Sequence, residues 1–322
     1  MKAAVYNGPH NIRVEDVSAP RVSDKKVLVK FKAGSLCGTD LHLYRGEWKI
    51  KRERIIGHDA CGVRADTGER VVMIPITYCG SCYYCLRGLT GYCENAKFYG
   101  LTRNGFFAEY TVLRSKNLVP VPANVSDEEA AVVEPVALAL HVLELLKPNV
   151  GDWATVIGQG PIGLLMTQVA RLKGCRVIAI DLEDYRLKLA EKYGAEHCIN
   201  ARKEDAVQKV KEITKRGSDV VVEAAGTLRT VEQTPFMVRK AGKVALIGEF
   251  KGYLNLEDAD EASFFTAYIS PVEYPLAVQL IAEKRVDVKE LITHRFKLAD
   301  FEKALQTANN PAEKPVKIVV TA

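Results

Sequence analysis

The chain has 322 residues, 48% of them hydrophobic and 26% charged, ordinary globular values that exclude a collagenous, coiled-coil or disordered chain. Lysine and arginine number 45 against 40 aspartates and glutamates, and the excess is dispersed along the sequence, so no nucleic-acid surface is expected. At about 150 residues per domain, this length fits two domains.

The amino terminus reaches the turn Asn7-Gly8-Pro9 before an apolar secretory segment can form. The longest apolar stretch, residues 130–146, contains Glu134, Pro135, His141 and Glu144, so no membrane span is expected. A cytoplasmic location is the default expectation. In that reducing compartment the eight cysteines are expected as metal ligands or free thiols.

Up to about residue 120, short β segments at 3–6, 26–33, 70–75 and 108–113 alternate with turns, which predicts an all-β module closed into a barrel. The basic residues between Lys49 and Arg54 read as a solvated loop. Ser126 with Glu129 forms a capping box that opens a linking helix, which Glu134-Pro135 is expected to interrupt. From Asp152 onward, strands at 154–157, 176–180, 220–223 and 244–248 alternate with helices at 161–173, 184–193, 203–215 and 229–240. That alternation predicts a parallel, doubly wound sheet. Helices over 275–284 and 300–307 and a strand over 316–320 complete the chain. The expected domains are 1–148, completed by 287–322, and 149–286.

Gly158-Gln159-Gly160-Pro161-Ile162-Gly163 follows a predicted strand and opens a helix. Gly158 permits the tight turn, Gly160 lets a pyrophosphate approach the backbone, and Gly163 lets helix and strand pack closely. The helix N-terminus supplies free N–H groups for the phosphates. Asp181 ends the next strand, where a carboxylate binds both ribose hydroxyls and repels a 2′-phosphate, which favours NAD. Arg186 lies close enough in sequence to leave dual use open.

Cys79, Cys82, Cys85 and Cys93 form C-x2-C-x2-C-x7-C, enough for a closed tetrahedral thiolate site that suits structural zinc. The competing iron–sulfur run has a shorter last spacing followed by proline, whereas Glu94 follows Cys93 here. A second constellation lies in Cys37-Gly38-Thr39-Asp40-Leu41-His42 and Gly57-His58-Asp59, with Glu134 in the linking helix. Mixed thiol, imidazole and carboxylate ligands are typical of catalytic zinc.

These pieces, together with Gly105-Phe106-Phe107-Ala108-Glu109-Tyr110 and Glu134-Pro135, resemble the zinc-dependent medium-chain alcohol and polyol dehydrogenases in the family's own order. The resemblance covers essentially the whole chain and includes the sorbitol and threonine dehydrogenase types. It implies an α/β protein with a GroES-like β-rich catalytic domain and a Rossmann domain, an active site in the cleft between them, and a homodimer or homotetramer. It implies that Cys37 and His58 bind catalytic zinc and that Asp59 and Glu134 occupy the two positions able to supply a carboxylate. Thr39 would be the hydroxyl beside the substrate oxygen and His42 the outer end of a proton relay. Ile162, Asp181 and Arg186 fall where relatives contact the dinucleotide.

The family commonly carries glutamate after the ligand histidine. Asp59 is one methylene shorter, which sets Glu134 against it as the direct ligand. The connection from Gly62 to Arg70 is short, and Thr266-Ala267-Tyr268-Ile269-Ser270 lacks the arginine of sorbitol-type relatives. Leu43, Trp48, Phe98 and Tyr268 are candidates for the pocket wall. The remaining thiols, Cys61, Cys175 and Cys198, are expected to be free. The expected activity is hydride transfer from a secondary alcohol or polyol to NAD, giving the ketone and NADH. The alternatives are a threonine-type amino-alcohol dehydrogenase and a non-enzymatic zinc- and NAD-binding protein.

Overall fold

The computed structural model describes residues 1–23, 25–257 and 259–322. Its contacts divide the chain into two compact units, Met1–Ala137 with Ile269–Ala322 and Leu138–Tyr268. The seams expected from the sequence, at 148/149 and 286/287, lie further along the chain.

The first unit is β-rich. Strand Lys26–Ser35 shows the period of a half-buried strand, with Val27, Val29, Phe31 and Ala33 turned inward. Its last residues, Gly34 and Ser35, are buried as well, so the strand delivers Cys37 from inside the unit. It lies at the centre of a seven-stranded sheet in the order Leu118–Pro120, Arg70–Met73, Asp59–Arg64, Lys26–Ser35, Lys317–Thr321, Ile292–Lys297, with Tyr110–Arg114 pairing on Lys26–Ser35. Phe31, Leu43, Ile56, Met73, Phe106, Phe107, Leu113 and Phe301 fill the core beneath it.

The second unit is a six-stranded sheet, parallel throughout, in the order His197–Asn200, Arg176–Asp181, Trp153–Ile157, Ser218–Glu223, Val238–Leu246, Ser263–Thr266. Helices Pro161–Leu172, Asp184–Lys192, Ala206–Thr214 and Leu228–Met237 connect the first five strands. Ile157, Ile178, Ile180, Ile199, Val221 and Val244 form its apolar centre. The doubly wound parallel sheet expected from the strand–helix alternation is therefore present.

Several local expectations need correction. The linking helix breaks before Glu134-Pro135, after the short helix Asp127–Ala130, and Pro135 sits in the first turn of Val133–Leu146. A proline is tolerated there because its missing N–H would have had no partner within the helix. The helix expected over 229–240 stops at Met237, and Val238 already pairs with Ser218 as a strand. Leu43 is 1% exposed and belongs to the core, not to a pocket wall. Among the described residues, no helix is long and apolar enough to cross a membrane.

Candidate functional site

Cys37 stands at the N-cap of helix Gly38–Arg45, and its backbone N–H donates to the Asp40 carboxylate at 3.0 Å. Asp40 is buried, and burial pushes its carboxyl up to about 6. His58 precedes and Asp59 opens strand Asp59–Arg64, after Gly57, whose φ of +91° and whose contact with the Phe107 ring, 2.3 Å from where a Cβ would stand, leave room only for glycine. One donor atom from each of Cys37, His58 and Asp59 lies within 4.8 Å of the others. His58 is 4% and Asp59 1% exposed.

Asp59 is held from one side. Its Oδ2 accepts from Lys317 Nζ at 3.1 Å and lies 3.2 Å from Ser35 Oγ, while Lys317 Nζ also donates to the Leu36 carbonyl oxygen at 2.9 Å. Its Oδ1, 3.4 Å from His58 Nε2, has no hydrogen-bond partner among the described residues and is buried. Burial opposes the charged form of His58, but Asp59 and Cys37 outweigh it and hold the imidazole well above its usual range. Lys317 is likewise kept protonated against burial by Asp59 and Cys37. A buried orphan oxygen beside a thiol and an imidazole is a donor set that suits a zinc ion, and the residues fit one.

Glu134, 7% exposed in the first turn of Val133–Leu146, lies outside this three-residue group. Burial and then the charge of Asp59 drive its carboxyl well above the usual range. Thr39 Oγ1 is 3.8 Å from Cys37 Sγ. The imidazole of His42 bonds through Nδ1 to the Glu47 carboxylate and stacks on Trp48 at 5.4 Å, and Phe98 meets His58 edge-on at 5.4 Å. Tyr268 is 48% exposed.

The donor atoms of Cys79, Cys82, Cys85 and Cys93 also gather within 4.8 Å of one another. Cys79 and Cys85 Sγ are 3.9 Å apart, as are Cys82 and Cys93 Sγ. That is far beyond a disulfide and close to the edge, about 3.8 Å, of a tetrahedron with bonds of 2.3 Å to zinc. The N–H groups of Ser81 and Cys82 point at Cys79 Sγ, and the Ser81 bond leads in pulling that thiol down to about 5. Cys82 is lowered as well, by the Cys85 N–H, whereas burial pushes Cys85 up to about 11, so the N–H groups favour thiolate at two of the four sulfurs. Cys61, Cys175 and Cys198 are free, and burial raises all three.

In the second unit, Gly158 has φ +88°, and a Cβ there would stand 2.8 Å from the Ala225 backbone. A Cβ on Gly163 would lie 1.7 Å from the Gly158 carbonyl oxygen, whereas one on Gly160 would meet no atom within 4 Å. That open space lies at the N-cap of helix Pro161–Leu172, beside Ile162 in its first turn. Open space at the N–H groups of a helix start suits a phosphate. Asp181 Oδ2 accepts from the Gln159 N–H at 2.6 Å and Oδ1 from the Glu183 N–H at 2.9 Å. Arg186 Nη1 stands 3.9 Å from Oδ2. The second unit therefore fits a nicotinamide dinucleotide.

Sequence reasoning missed Lys317 and Glu223. The signal for Lys317 was a lysine inside the apolar run 316–320. For Glu223 it was a carboxylate closing the run Val220-Val221-Val222 at a strand end.

Residues 23–123 match the alcohol dehydrogenase GroES-like domain, and residues 161–308 match the zinc-binding dehydrogenase family. Sorbitol dehydrogenase of Bacillus subtilis (strain 168) is 30% identical over 99% of this chain and 97% of its own length. L-threonine 3-dehydrogenase of Pyrococcus furiosus is 33% identical over 90% of each chain. A zinc-binding dehydrogenase from Sinorhizobium meliloti 1021, solved with NADP, superposes with a TM-score of 0.93 at 29% identity over 100% of this chain and 99% of its own. With a GroES-like unit that gathers two sets of metal donors and a Rossmann unit with an open phosphate cradle, the chain belongs to the zinc-dependent medium-chain alcohol and polyol dehydrogenases and is an oxidoreductase that uses zinc and a nicotinamide cofactor.

Proposed function

We propose that the chain transfers a hydride between a secondary alcohol or polyol and NAD, as a homodimer or homotetramer with two zinc ions per chain. One ion is held by Cys37, His58 and a carboxylate, the other by Cys79, Cys82, Cys85 and Cys93. The convergence of Cys37, His58 and Asp59 around an orphan carboxylate oxygen carries this reading. It favours Asp59 over Glu134 as the direct ligand, because Asp59 belongs to the group and Glu134 does not. Zinc supplies Lewis acidity that lowers the proton affinity of the alcohol, and the nicotinamide supplies the hydride acceptor.

The chain's own residues position and move the proton. Lys317 and Ser35 fix Asp59 through Oδ2 and leave Oδ1 toward His58. The Thr39 hydroxyl, beside Cys37 Sγ, would relay the proton of the alcohol, accepting it while giving up its own. His42, partly exposed and oriented by Glu47, passes it to water. Asp181 selects NAD because its carboxylate accepts ribose hydroxyls and repels a 2′-phosphate. Arg186, 3.9 Å away, is the group that would admit NADP at a lower rate.

A second reading, a threonine-type amino-alcohol dehydrogenase, is supported by the relative from Pyrococcus furiosus and by the absence of arginine in residues 266–270. The test is NAD reduction by zinc-replete protein against sorbitol, 2,3-butanediol and L-threonine. Turnover of a polyol or diol is expected. Turnover confined to threonine would replace the leading reading with the second, and turnover of none of these or of other secondary alcohols would overturn both.

A further inference from the structure

The sheet of the second unit reverses its order beside Trp153–Ile157. Arg176–Asp181 and His197–Asn200 lie on one side of that strand, and Ser218–Glu223, Val238–Leu246 and Ser263–Thr266 on the other. In open parallel sheets, the crevice outside the carboxyl ends of the strands at such a point takes the ligand. Glu223 closes Ser218–Glu223 there, paired with Ile157, the residue before Gly158.

Its side chain is fully buried and heavily engaged. Oε1 accepts from the Ala225 and Gly226 N–H groups at 2.9 Å each and from the Thr230 hydroxyl at 2.8 Å. The Glu223 carbonyl oxygen accepts from Ile247 N–H at 2.8 Å and Gly248 N–H at 3.1 Å. Among the described residues, Oε2 has no hydrogen-bond partner, and a Cβ on Gly248 would fall 2.7 Å from it. Ala225 is also the residue against which Gly158 packs. One residue thus ties together the segments that follow three neighbouring strands. A buried carboxyl is costly, and the three residues before it, Val220, Val221 and Val222, are apolar and buried.

We infer that Glu223 is a positioning residue for the nicotinamide half of the dinucleotide, holding Ala225, Gly226 and Gly248 in place on the side of Gly158 away from Asp181. The inference rests on the reading above, in which Asp181 takes the adenosine half.

The test measures the affinities of the full chain for NADH, by fluorescence, and for ADP, which carries only the adenosine and the phosphates, by calorimetry. Glu223→Ala should weaken NADH by at least about tenfold and leave ADP within about twofold, the loss of several hydrogen bonds acting on one half only. Glu223→Gln keeps an accepting oxygen at the Oε1 position and should restore NADH to within about threefold of the parent. Thr230→Val removes one donor and should weaken NADH alone, by a few-fold. Equal loss of NADH and ADP in Glu223→Ala, no loss of either, or a Gln variant as weak as Ala would overturn the inference. If Glu223→Ala does not fold, an unchanged NADH affinity in Thr230→Val overturns it instead. Asp181→Ala should lose both ligands. Should it keep ADP, the reading of Asp181 fails, while the NADH comparison still decides Glu223.

Discussion

The ammonium of Lys317, its side chain 4% exposed, is fixed between the Asp59 carboxylate and the Leu36 carbonyl oxygen. It therefore clamps the segment just before Cys37 to the segment just after His58. Lys317→Met keeps the stem but leaves Asp59 buried without its cation. The expected cost is about 3–5 kcal/mol of stability, the range for breaking one side of a buried pair. Chemical denaturation of protein freed of the zinc at Cys37 and His58, which would itself neutralise Asp59, checks this, and a change under about 1 kcal/mol would show that the pair does not hold Asp59. Around Lys317, Cys37, His58 and Asp59 stand in short motifs of metal-ligand types whose spacing is weak by itself, and only their combination with the four-cysteine lobe and the glycine-rich loop singled them out. Lys317 itself was not legible. A lysine in a β run normally marks the solvent face, and only the sheet order, which sets Lys317–Thr321 directly beside Lys26–Ser35, turns this one inward.

At the scale of elements, three of the strands missed from sequence share one property, whereas Asp59–Arg64, also missed, lies inside its sheet. His197–Asn200, Ser263–Thr266 and Ile292–Lys297 each lie at the end of a sheet. Edge strands carry polar residues that discourage pairing with other chains, so their hydrophobic alternation is faint. Central strands such as Trp153–Ile157 and Arg176–Asp181 are buried on both faces and read as plain apolar runs. The capping box was legible because its chemistry is local. Glu129 N–H donates to Ser126 Oγ at 3.2 Å, and Ser126 N–H donates to the Glu129 carboxylate at 2.8 Å. Ser126→Ala should lower stability by about 1 kcal/mol in a thermal or urea melt, and an unchanged melt would mean that the turn is fixed by its packing alone. In the second unit, Gly158→Ala places a methyl 2.8 Å from Ala225 at a φ of +88°. Dinucleotide affinity should fall by at least about tenfold, the effect of a strained turn that displaces the phosphate cradle. Equal NADH binding by that variant would contradict the role given to the loop.

At the scale of the whole molecule, the sets of donors and the cradle are divided cleanly. Cys37, His58, Asp59 and the four-cysteine lobe belong to the first unit, and Gly158, Gly160, Gly163 and Asp181 to the second. Chemistry and cofactor binding should therefore separate under mutation. The β-to-α/β change in pattern made this architecture readable in advance, because a parallel sheet needs helical crossovers and an antiparallel one does not. The choice between Asp59 and Glu134 was not readable, since it depends on which carboxylate the fold brings near Cys37 and His58. The measurement that bears most directly on the account is zinc per chain, by elemental analysis, together with NAD reduction and NADH affinity, on the parent and on Cys37→Ser. The account predicts two zinc ions in the parent and one in the variant, with turnover down by more than about 100-fold, since even outer partners of a metal ligand cost 10–100-fold, and NADH affinity unchanged. A variant that keeps both zinc ions and full turnover would contradict it.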